Sequence, residues 1–235
     1  MDFEAFEPAY EAILADFGFG RGADERARDV LRAFELGGSL DAFAAVLADR
    51  AVAVVAPGPP LPEELDAVRD ADAVLAVSSA AGVLREHGLP VDAYVTDLDA
   101  DPEFAPALTR EGVPTAVHAH GDNVPAVREF LPECDREHVL GTTQAAPRAP
   151  VVNVGGFTDG DRAAFLADHV GARSLSFPGW DLDDPDVDAT KAKKLAWARR
   201  LLAWLERDRR ARLDRDVHFD VLDGYRERVD FSFLD

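Results

Sequence analysis

The spacing of hydrophobic positions divides the chain into a helical N-terminal part and a longer part in which strands and helices alternate. Within residues 1–50, apolar side chains recur every three or four positions, which is the period of an amphipathic helix. Three helices are predicted there, at 3–17, at 24–36 before two glycines, and from residue 40 behind the capping Ser39. We therefore expect residues 1–50 to form a helical subdomain packed on the remainder.

From residue 51 onward, short apolar runs alternate with segments of helical period. The predicted strands are 51–56, 73–77, 93–95, 115–119, 151–154 and 174–177. The predicted helices are 62–70, 79–87, 102–111, 124–131, 159–170 and a long final one at 191–208, with loops at 142–150 and 178–190. Such alternation is typical of crossover units. The expected fold class is α/β, with a doubly wound, mostly parallel, Rossmann-like sheet in one domain over 51–235 that ends in the long C-terminal helix.

Charge and composition exclude several classes of protein. The 235 residues carry 45 acidic and 25 basic side chains, a net charge of −20, which opposes nucleic-acid binding because that needs a basic surface. An acidic surface poor in lysine is typical of proteins that work in molar salt, so the protein is predicted to be halophilic. No apolar run reaches the roughly 18 residues of a membrane helix, and the acidic N-terminus lacks the pattern of a secretory signal. We expect a cytoplasmic protein with no membrane partner.

Polar residues follow five of the six predicted strands. In an open parallel sheet, ligands bind at the carboxyl ends of the strands, so these positions are predicted to share one site. The candidate residues are Gly58, Ser78, Ser79, Asp97, Asp99, His118, His120, Asp122, Asn123, Asp159, Trp180 and Asp181.

Asp97 and Asp99 form the clearest candidate metal site. Alternate residues at a strand end point the same way, so these two carboxylates can share a divalent cation. Magnesium is commonly held by one or two carboxylates, with water and phosphate oxygens completing its coordination. The alternative role, a turn leading into a helix, is predicted to belong to Asp101, which directly precedes Pro102 as a capping residue would.

The histidine-rich strand end allows two interpretations. Alternation places His118, His120 and Asp122 on one side, and we favour a polar substrate or phosphate pocket over a zinc site. Asp122 or Asn123 is alternatively the cap of the following helix.

The segment after the fifth predicted strand mixes structural and functional signals. Thr158 and Asp161 have the spacing of a capping box, which gives Asp161 a structural role. Asp159 has no such role. The preceding Gly155 and Gly156 allow close approach of the backbone to a ligand.

The lysines are clustered on the final helix. Only three of the 25 basic residues are lysines, and all three lie within 191–194. At about 100° per residue, Lys191 and Lys194 fall on the apolar face and are predicted to point toward the protein body. Ammonium groups and a helix N-terminus both suit phosphate oxygens, which favours phosphoryl transfer. Alternatively, these lysines neutralise the acidic loop at 181–188. No P-loop or protein-kinase motif is present.

Four motifs carry a resemblance to a known family. They are VTDLD (95–99), HAHGDN (118–123), GGFTDGDRAAFLA (155–167) and KAKKL (191–195). In this order, and over roughly residues 50–208, the chain resembles the archaeal 6-hydroxymethyl-7,8-dihydropterin diphosphokinase family, which is itself similar to thiamine diphosphokinases. The loop APGPPL (56–61) departs from the GPSL-like loop of distant relatives, because Pro60 stands where a serine would.

The resemblance implies transfer of the β,γ-diphosphate of ATP to the hydroxyl of a reduced pterin, with release of AMP, in folate- or methanopterin-type cofactor synthesis. It implies Mg²⁺ at Asp97 and Asp99, phosphates at Lys191 and Lys194, and Asp122 orienting or deprotonating the hydroxyl. The nucleotide set also includes Gly58, Ser78 and Ser79.

The acceptor contacts implied by the resemblance are less specific. The guanidine-like edge and flat ring of a pterin suit a carboxylate, Asp159 or Asp181, beside an aromatic such as Trp180 or Phe157. The remaining substrate candidates are His118, His120 and Asn123. Similarity to thiamine diphosphokinases suggests a homodimer.

Three other functions remain open at this point. The same chemistry on another alcohol, such as thiamine, would use the same phosphate site. A non-catalytic regulator would bind nucleotide or magnesium without releasing AMP. A purely structural acidic protein would explain the charge but neither the clustered lysines nor the ordered motifs.

Overall fold

A computed structural model describes residues 1–214 and 216–234 and confirms the α/β prediction. One parallel sheet contains β1 (Ala51–Val55), β2 (Ala73–Val77), β3 (Ala93–Thr96), β4 (Thr115–Ala119), β5 (Val139–Thr143) and β6 (Ser174–Ser176). The strand order is β5-β4-β3-β2-β1-β6, and each neighbouring pair is parallel. The order reverses between β1 and β6, and open α/β sheets bind ligands at that reversal.

Helices cover both faces of the sheet. They are α1 (Phe3–Phe17), α2 (Arg21–Arg32), α3 (Leu40–Leu47), α4 (Leu65–Arg69), α5 (Ala80–Glu86), α6 (Phe104–Arg110), α7 (Val124–Phe130), α8 (Asp159–His169) and α9 (Ala189–Leu213). The crossover helices α4–α7 and α2 pack on one face, and α1, α3, α8 and α9 pack on the other. Right-handed crossovers require this change of face when the chain reverses direction after β5. β1, β2 and β3 are therefore buried on both sides, which explains their nearly continuous apolar runs, whereas Ser174 and Ser176 of the edge strand β6 are exposed.

The predicted strand at 151–154 is wrong, and the strand at 139–143 was not predicted. Val152 makes only an isolated parallel bridge with Thr142, at the outer edge of β5. In β5, Gly141 and two threonines interrupt the apolar pattern. A Cβ atom on Gly141 would lie 3.1 Å from the Leu36 side chain and 3.2 Å from that of Leu31, so the glycine allows the N-terminal segment to pack closely. The predicted loop at 142–150 consequently starts inside β5.

Several helix ends also differ from their predictions. Asp101 does not cap α6: it adopts a left-handed conformation (φ 45°), and the helix begins at Phe104 after Glu103. The second helix spans Arg21–Arg32, not 24–36, and the last one spans Ala189–Leu213, not 191–208. The N-terminal helices pack on both sheet faces, and a domain boundary near residue 50 stays a prediction. In the described part of the chain, no helix is long and apolar enough to cross a membrane.

Candidate active site

The loops at the carboxyl ends of the strands surround a cleft of about 660 Å³. The sequence-predicted residues that line it are Gly58, Ser78, Asp97, Asp99, His120, Asp122, Phe157, Asp159, Trp180, Asp181, Lys191 and Lys194. Ser79, His118 and Asn123 are not among the described residues that line it. Most of the residues predicted from their position after a strand therefore do line one cleft.

Asp97, Asp99 and His120 form a compact group in this cleft. One ligand atom from each lies within 4.8 Å of the others. The turn after β3 creates this arrangement, because the Leu98 N–H donates to Thr96 Oγ1 (2.9 Å) and Leu98 takes a positive φ of 66°. The Asp99 N–H then donates to Asp97 Oδ1 at 3.0 Å. The side chain of Asp97 is 24% exposed, so an ion in the cleft can reach its carboxylate.

The charges of the group are interdependent. Burial opposes ionisation of Asp97, but the nearby His120 imidazole, the hydrogen bond from the Asp99 N–H and the charge of Arg162 outweigh burial and lower the pKa of Asp97. Burial and the Asp97 carboxylate raise the pKa of Asp99 and that of Asp159. Burial disfavours the charged form of His120, but Asp97 outweighs it and raises the pKa of His120. Asp97 is therefore the carboxylate that most readily carries negative charge.

Asp159 supports Asp97 from the start of α8. Its Oδ2 accepts a hydrogen bond from the Asp97 N–H at 3.1 Å, and its Oδ1 accepts one from Arg162 at 2.6 Å. Arg162 also donates to the Phe157 carbonyl at 2.7 Å. The side chains of Asp159 and Arg162 are 9% and 4% exposed, so this is a buried ion pair at the floor of the cleft.

The glycines before α8 permit this packing. Gly156 has φ 93°, and a Cβ atom there would lie 2.3 Å from the Arg162 Cα. The capping box predicted for Thr158 and Asp161 is present, with the Thr158 N–H donating to Asp161 at 3.1 Å. Asp161 is thus structural.

Asn123 and His118 lie beneath the cleft. The Asn123 side-chain amide donates to the carbonyls of Asp97 and His118, each at 2.7 Å, and its oxygen accepts from the His120 N–H at 3.0 Å. His118 is fully buried, and its Nδ1 lies 3.0 Å from Thr142 Oγ1. These positions favour bracing of Asp97 and His120 over direct contact with substrate.

Asp122 has the most exposed carboxylate of this strand end. Its side chain is 90% exposed, and its Oδ1 lies 3.1 Å from His120 Nδ1. The imidazole of His120 therefore lies between two carboxylates, because its Nε2 is 3.7 Å from Asp97.

Two of the three lysines face the cleft and the third faces away from it, as their spacing on the helix predicts. Lys191 and Lys194 line the cleft at the first turns of α9, together with Leu195. Lys193 points elsewhere, since its ammonium lies 2.9 Å from an Asp16 carboxylate oxygen and 4.6 Å from the centre of the Phe17 ring. The acidic loop at 181–188 neutralises Arg199 through Asp183 (2.6 Å).

The loops after β1 and β6 also line the cleft. The Gly58 N–H donates to the Gly179 carbonyl at 2.8 Å, so this backbone donor is already engaged. The Trp180 indole N–H donates to the Val54 carbonyl at 2.8 Å. A Cβ atom on Gly160 would lie 2.6 Å from the indole ring, which packs the ring against the start of α8.

The N-terminal segment contributes cleft residues that were not predicted, because they do not follow a strand. Asp24 of α2 is buried and lines the cleft, where its Oδ1 accepts from the Gly121 N–H (2.9 Å). Its Oδ2 accepts from Tyr10 and from the Gln144 amide, both at 2.8 Å. The other cleft residues missed as candidates include Phe19, Gln144 and Arg162. One signal was available: Asp24 shares a helix face with the apolar residues Ala27 and Leu31.

Comparisons with known proteins identify the family of the chain. A family model described as 6-hydroxymethylpterin diphosphokinase MptE-like matches residues 33–187. Three curated archaeal proteins named 6-hydroxymethyl-7,8-dihydropterin pyrophosphokinase are similar to this chain. The protein from Methanothermobacter thermautotrophicus is 38% identical over 92% of this chain and 100% of its own length. Those from Pyrococcus furiosus and Methanocaldococcus jannaschii are 35% and 28% identical, over 91% and 88% of this chain and 98% and 96% of their own lengths.

Proposed function

The chain belongs to the MptE-like family of 6-hydroxymethylpterin diphosphokinases, and we propose that it transfers the β,γ-diphosphate of ATP to the hydroxyl of 6-hydroxymethyl-7,8-dihydropterin. The hydroxyl oxygen bonds to the β-phosphorus, and the bond from that phosphorus to the oxygen of the α-phosphate breaks. The products are the pterin diphosphate, AMP and a proton. The cleft supports this proposal most directly through the group of Asp97, Asp99 and His120, whose ligand atoms lie within 4.8 Å of one another.

Magnesium fits the oxygen donors of this group. We propose that Asp97 and Asp99 hold Mg²⁺, which when bound offsets the negative charge of the phosphate oxygens. The surrounding residues keep these carboxylates in place: Asn123 holds the Asp97 carbonyl, and Asp159 holds the Asp97 N–H. His120 favours the ionised form of Asp97, which is the form that binds a cation.

The cationic side of the cleft suits the transferred phosphates. We assign Lys191 and Lys194 to the β- and γ-phosphate oxygens, because both line the cleft at the N-terminal end of α9, where the helix dipole also favours anions. Ser78 and Gly58 border the nucleotide at the ends of β2 and β1. Trp180 and Asp181 also line the cleft and are proposed to contact substrate.

Asp122 is proposed to orient the acceptor hydroxyl and to receive its proton. Its exposed carboxylate lies beside His120, and His120 lies beside Asp97, so the acceptor oxygen can approach the phosphates held near Asp97. Positioning of the two substrates supplies much of the rate enhancement in reactions of this kind.

An acceptor screen tests the proposed reaction. AMP formation is measured with ATP and Mg²⁺ in molar KCl, with the reduced pterin, with thiamine, or with no acceptor. We expect AMP only with the pterin. AMP formation with thiamine alone would overturn the assigned substrate, and nucleotide binding without AMP in any arm would indicate a regulator.

The biological setting is proposed on the chemistry of the acceptor. We place the reaction in folate- or methanopterin-type cofactor synthesis, in the cytoplasm, with the enzyme as a homodimer. The acidic composition, with a net charge of −20, favours a salt-rich environment.

A further inference from the structure

The N-terminal helices form one wall of the cleft, and an aromatic residue on that wall, Phe19, has no role in the reaction proposed above. Phe19 lies between α1 and α2, lines the cleft and is 48% exposed. Among the described residues, Leu213 is the other large hydrophobic side chain classed as exposed, at 37%, and it does not line the cleft. Phe19 therefore presents an open apolar surface inside a substrate cleft, where a ligand can cover it.

The Phe19 ring is held in a fixed orientation. Gly18 ends α1 with φ 69°, and the Phe19 N–H donates to the Leu14 carbonyl at 2.9 Å. The ring stacks on Phe17 with centroids 5.2 Å apart and planes 22° apart. Phe17 is itself held by Phe157, whose ring centroid is 5.2 Å away. A ring that is already ordered loses little conformational entropy when a flat ligand stacks on it.

A chain of contacts connects the Phe19 side of the cleft to the residues beside the proposed acceptor hydroxyl. Asp24, in the first turn of α2, accepts a hydrogen bond from the Gly121 N–H. A Cβ atom on Gly121 would lie 2.8 Å from the Ala23 Cβ, so α2 lies directly against the loop after β4. That loop carries Asp122 and His120, and His120 contacts Asp97.

The two substrates need separate walls of one cleft. The wall at Gly58, Gly179 and Trp180 lies at the β1–β6 reversal, which is the place for a nucleotide in an open parallel sheet. The Trp180 indole is committed to Gly160 and to the Val54 carbonyl. The Phe19 wall is therefore left for the acceptor. Asp24 on this wall already accepts hydrogen bonds from Gly121, Tyr10 and Gln144, so the open ring of Phe19 is the feature there that suits a flat acceptor.

We propose that Phe19 is the surface on which the ring of the reduced pterin stacks. This inference rests on the proposed function for the identity of the acceptor, a flat heterocycle with a polar edge. Stacking of a heterocycle on an aromatic side chain contributes enough that truncation to alanine weakens binding by about tenfold or more.

The test compares Phe19→Ala, Phe19→Tyr and the control Leu213→Ala. Binding of 6-hydroxymethyl-7,8-dihydropterin is measured by calorimetry without ATP, and the KM values for pterin and ATP are measured by AMP formation. Thermal unfolding of each variant reports its folding. We expect Phe19→Ala to raise the pterin Kd and KM by about tenfold and to leave the KM for ATP unchanged. Phe19→Tyr and Leu213→Ala should bind pterin like the wild type.

Three results would overturn the assignment. The first is an unchanged pterin Kd in Phe19→Ala. The second is a Phe19→Ala variant in which only the KM for ATP rises, which would place the nucleobase on Phe19. The third is a wild-type protein that binds no pterin. If the wild type binds pterin but forms no AMP, the proposed function fails, while the binding comparison still decides the role of Phe19.

Discussion

The carboxylate of Asp159 accepts a hydrogen bond of 3.1 Å from the backbone N–H of Asp97, which joins the start of α8 to the end of β3. The same carboxylate is neutralised by Arg162 at 2.6 Å, in surroundings that leave both side chains less than a tenth exposed. The position of the proposed metal ligand thus depends on a buried ion pair that itself need not touch the metal.

Breaking that ion pair should destabilise the fold. Asp159→Asn leaves the buried Arg162 guanidinium bonded to the Phe157 carbonyl but without its paired carboxylate, and Arg162→Met leaves Asp159 buried beside Asp97. Each single variant should lose about 3–5 kcal/mol of the free energy of unfolding. The double variant should lose much less than the sum. Urea unfolding of all four proteins measures this, and additive losses would show that the two residues are not coupled.

Activity measurements on two variants can separate the effect of the Asp159 hydrogen bond from the effect of its charge. Asp159→Asn retains an oxygen that can accept from the Asp97 N–H, whereas Asp159→Ala has no acceptor. We expect Asp159→Ala to need a higher Mg²⁺ concentration for half-maximal AMP formation than Asp159→Asn. Equal magnesium requirements in the two variants would rule out positioning of Asp97 by this hydrogen bond.

Removing the charge of Asp97 should abolish most of the activity. A bound divalent ion contributes several kcal/mol to phosphoryl transfer, so Asp97→Asn should lower kcat/KM by about a hundredfold or more. The control is Asp66→Asn, because the Asp66 side chain is 95% exposed and pairs only with Arg69 among the ion pairs of the described residues. Steady-state AMP formation measures both variants. Near-normal activity in Asp97→Asn would remove this carboxylate from the site.

The lysines of α9 provide a matched comparison within one turn of helix. Lys191→Ala and Lys194→Ala should each raise the KM for ATP by about tenfold, as expected for a lost charge-assisted hydrogen bond to phosphate. Lys193→Ala should not, because its ammonium is bound to Asp16. The same rise in all three variants would indicate a general effect of charge on this acidic protein instead of contacts to phosphate.

The excess of acidic residues should make folding dependent on salt. Twenty net negative charges repel one another in dilute buffer, and this repulsion is screened within about 3 Å at 1 M salt. We expect the Tm to rise steadily with KCl concentration, and activity to be lost at low ionic strength. Thermal unfolding across a KCl series checks this prediction. Full stability and activity in dilute buffer would contradict a halophilic protein.

Most of the sheet was predictable because buried parallel strands are continuous apolar runs. The exception is β5, which was not predicted. β5 contains Gly141, which a pattern of side-chain hydrophobicity cannot distinguish from a loop residue, although close packing of Leu31 and Leu36 requires it. The apolar run at 151–154 has the composition of a strand, but it pairs only through two isolated bridges, from Val152 to Thr142 of β5 and from Val151 to Arg148 in the preceding loop. Composition identifies burial more reliably than it identifies pairing.

The site was predictable where it follows the strand ends and not where it depends on distant packing. Asp97, Asp99 and His120 meet because parallel strands end at one edge. His118 shares the side of His120 but lies one step deeper in β4, where its ring is buried. Asp24 and Phe19 reach the cleft only through the packing of the N-terminal helices against the loop after β4. The helix face that Asp24 shares with Ala27 and Leu31 indicates its burial but not the loop against which it packs.

The most direct measurement is the stoichiometry of the nucleotide and pterin products. Wild-type protein is incubated with ATP, Mg²⁺ and 6-hydroxymethyl-7,8-dihydropterin in molar KCl, and the products are separated by chromatography and identified by ³¹P NMR. Intact transfer of the diphosphate predicts AMP and pterin diphosphate in equal amounts, without ADP. Formation of ADP with a pterin monophosphate, or of AMP and free diphosphate with unmodified pterin, would contradict it.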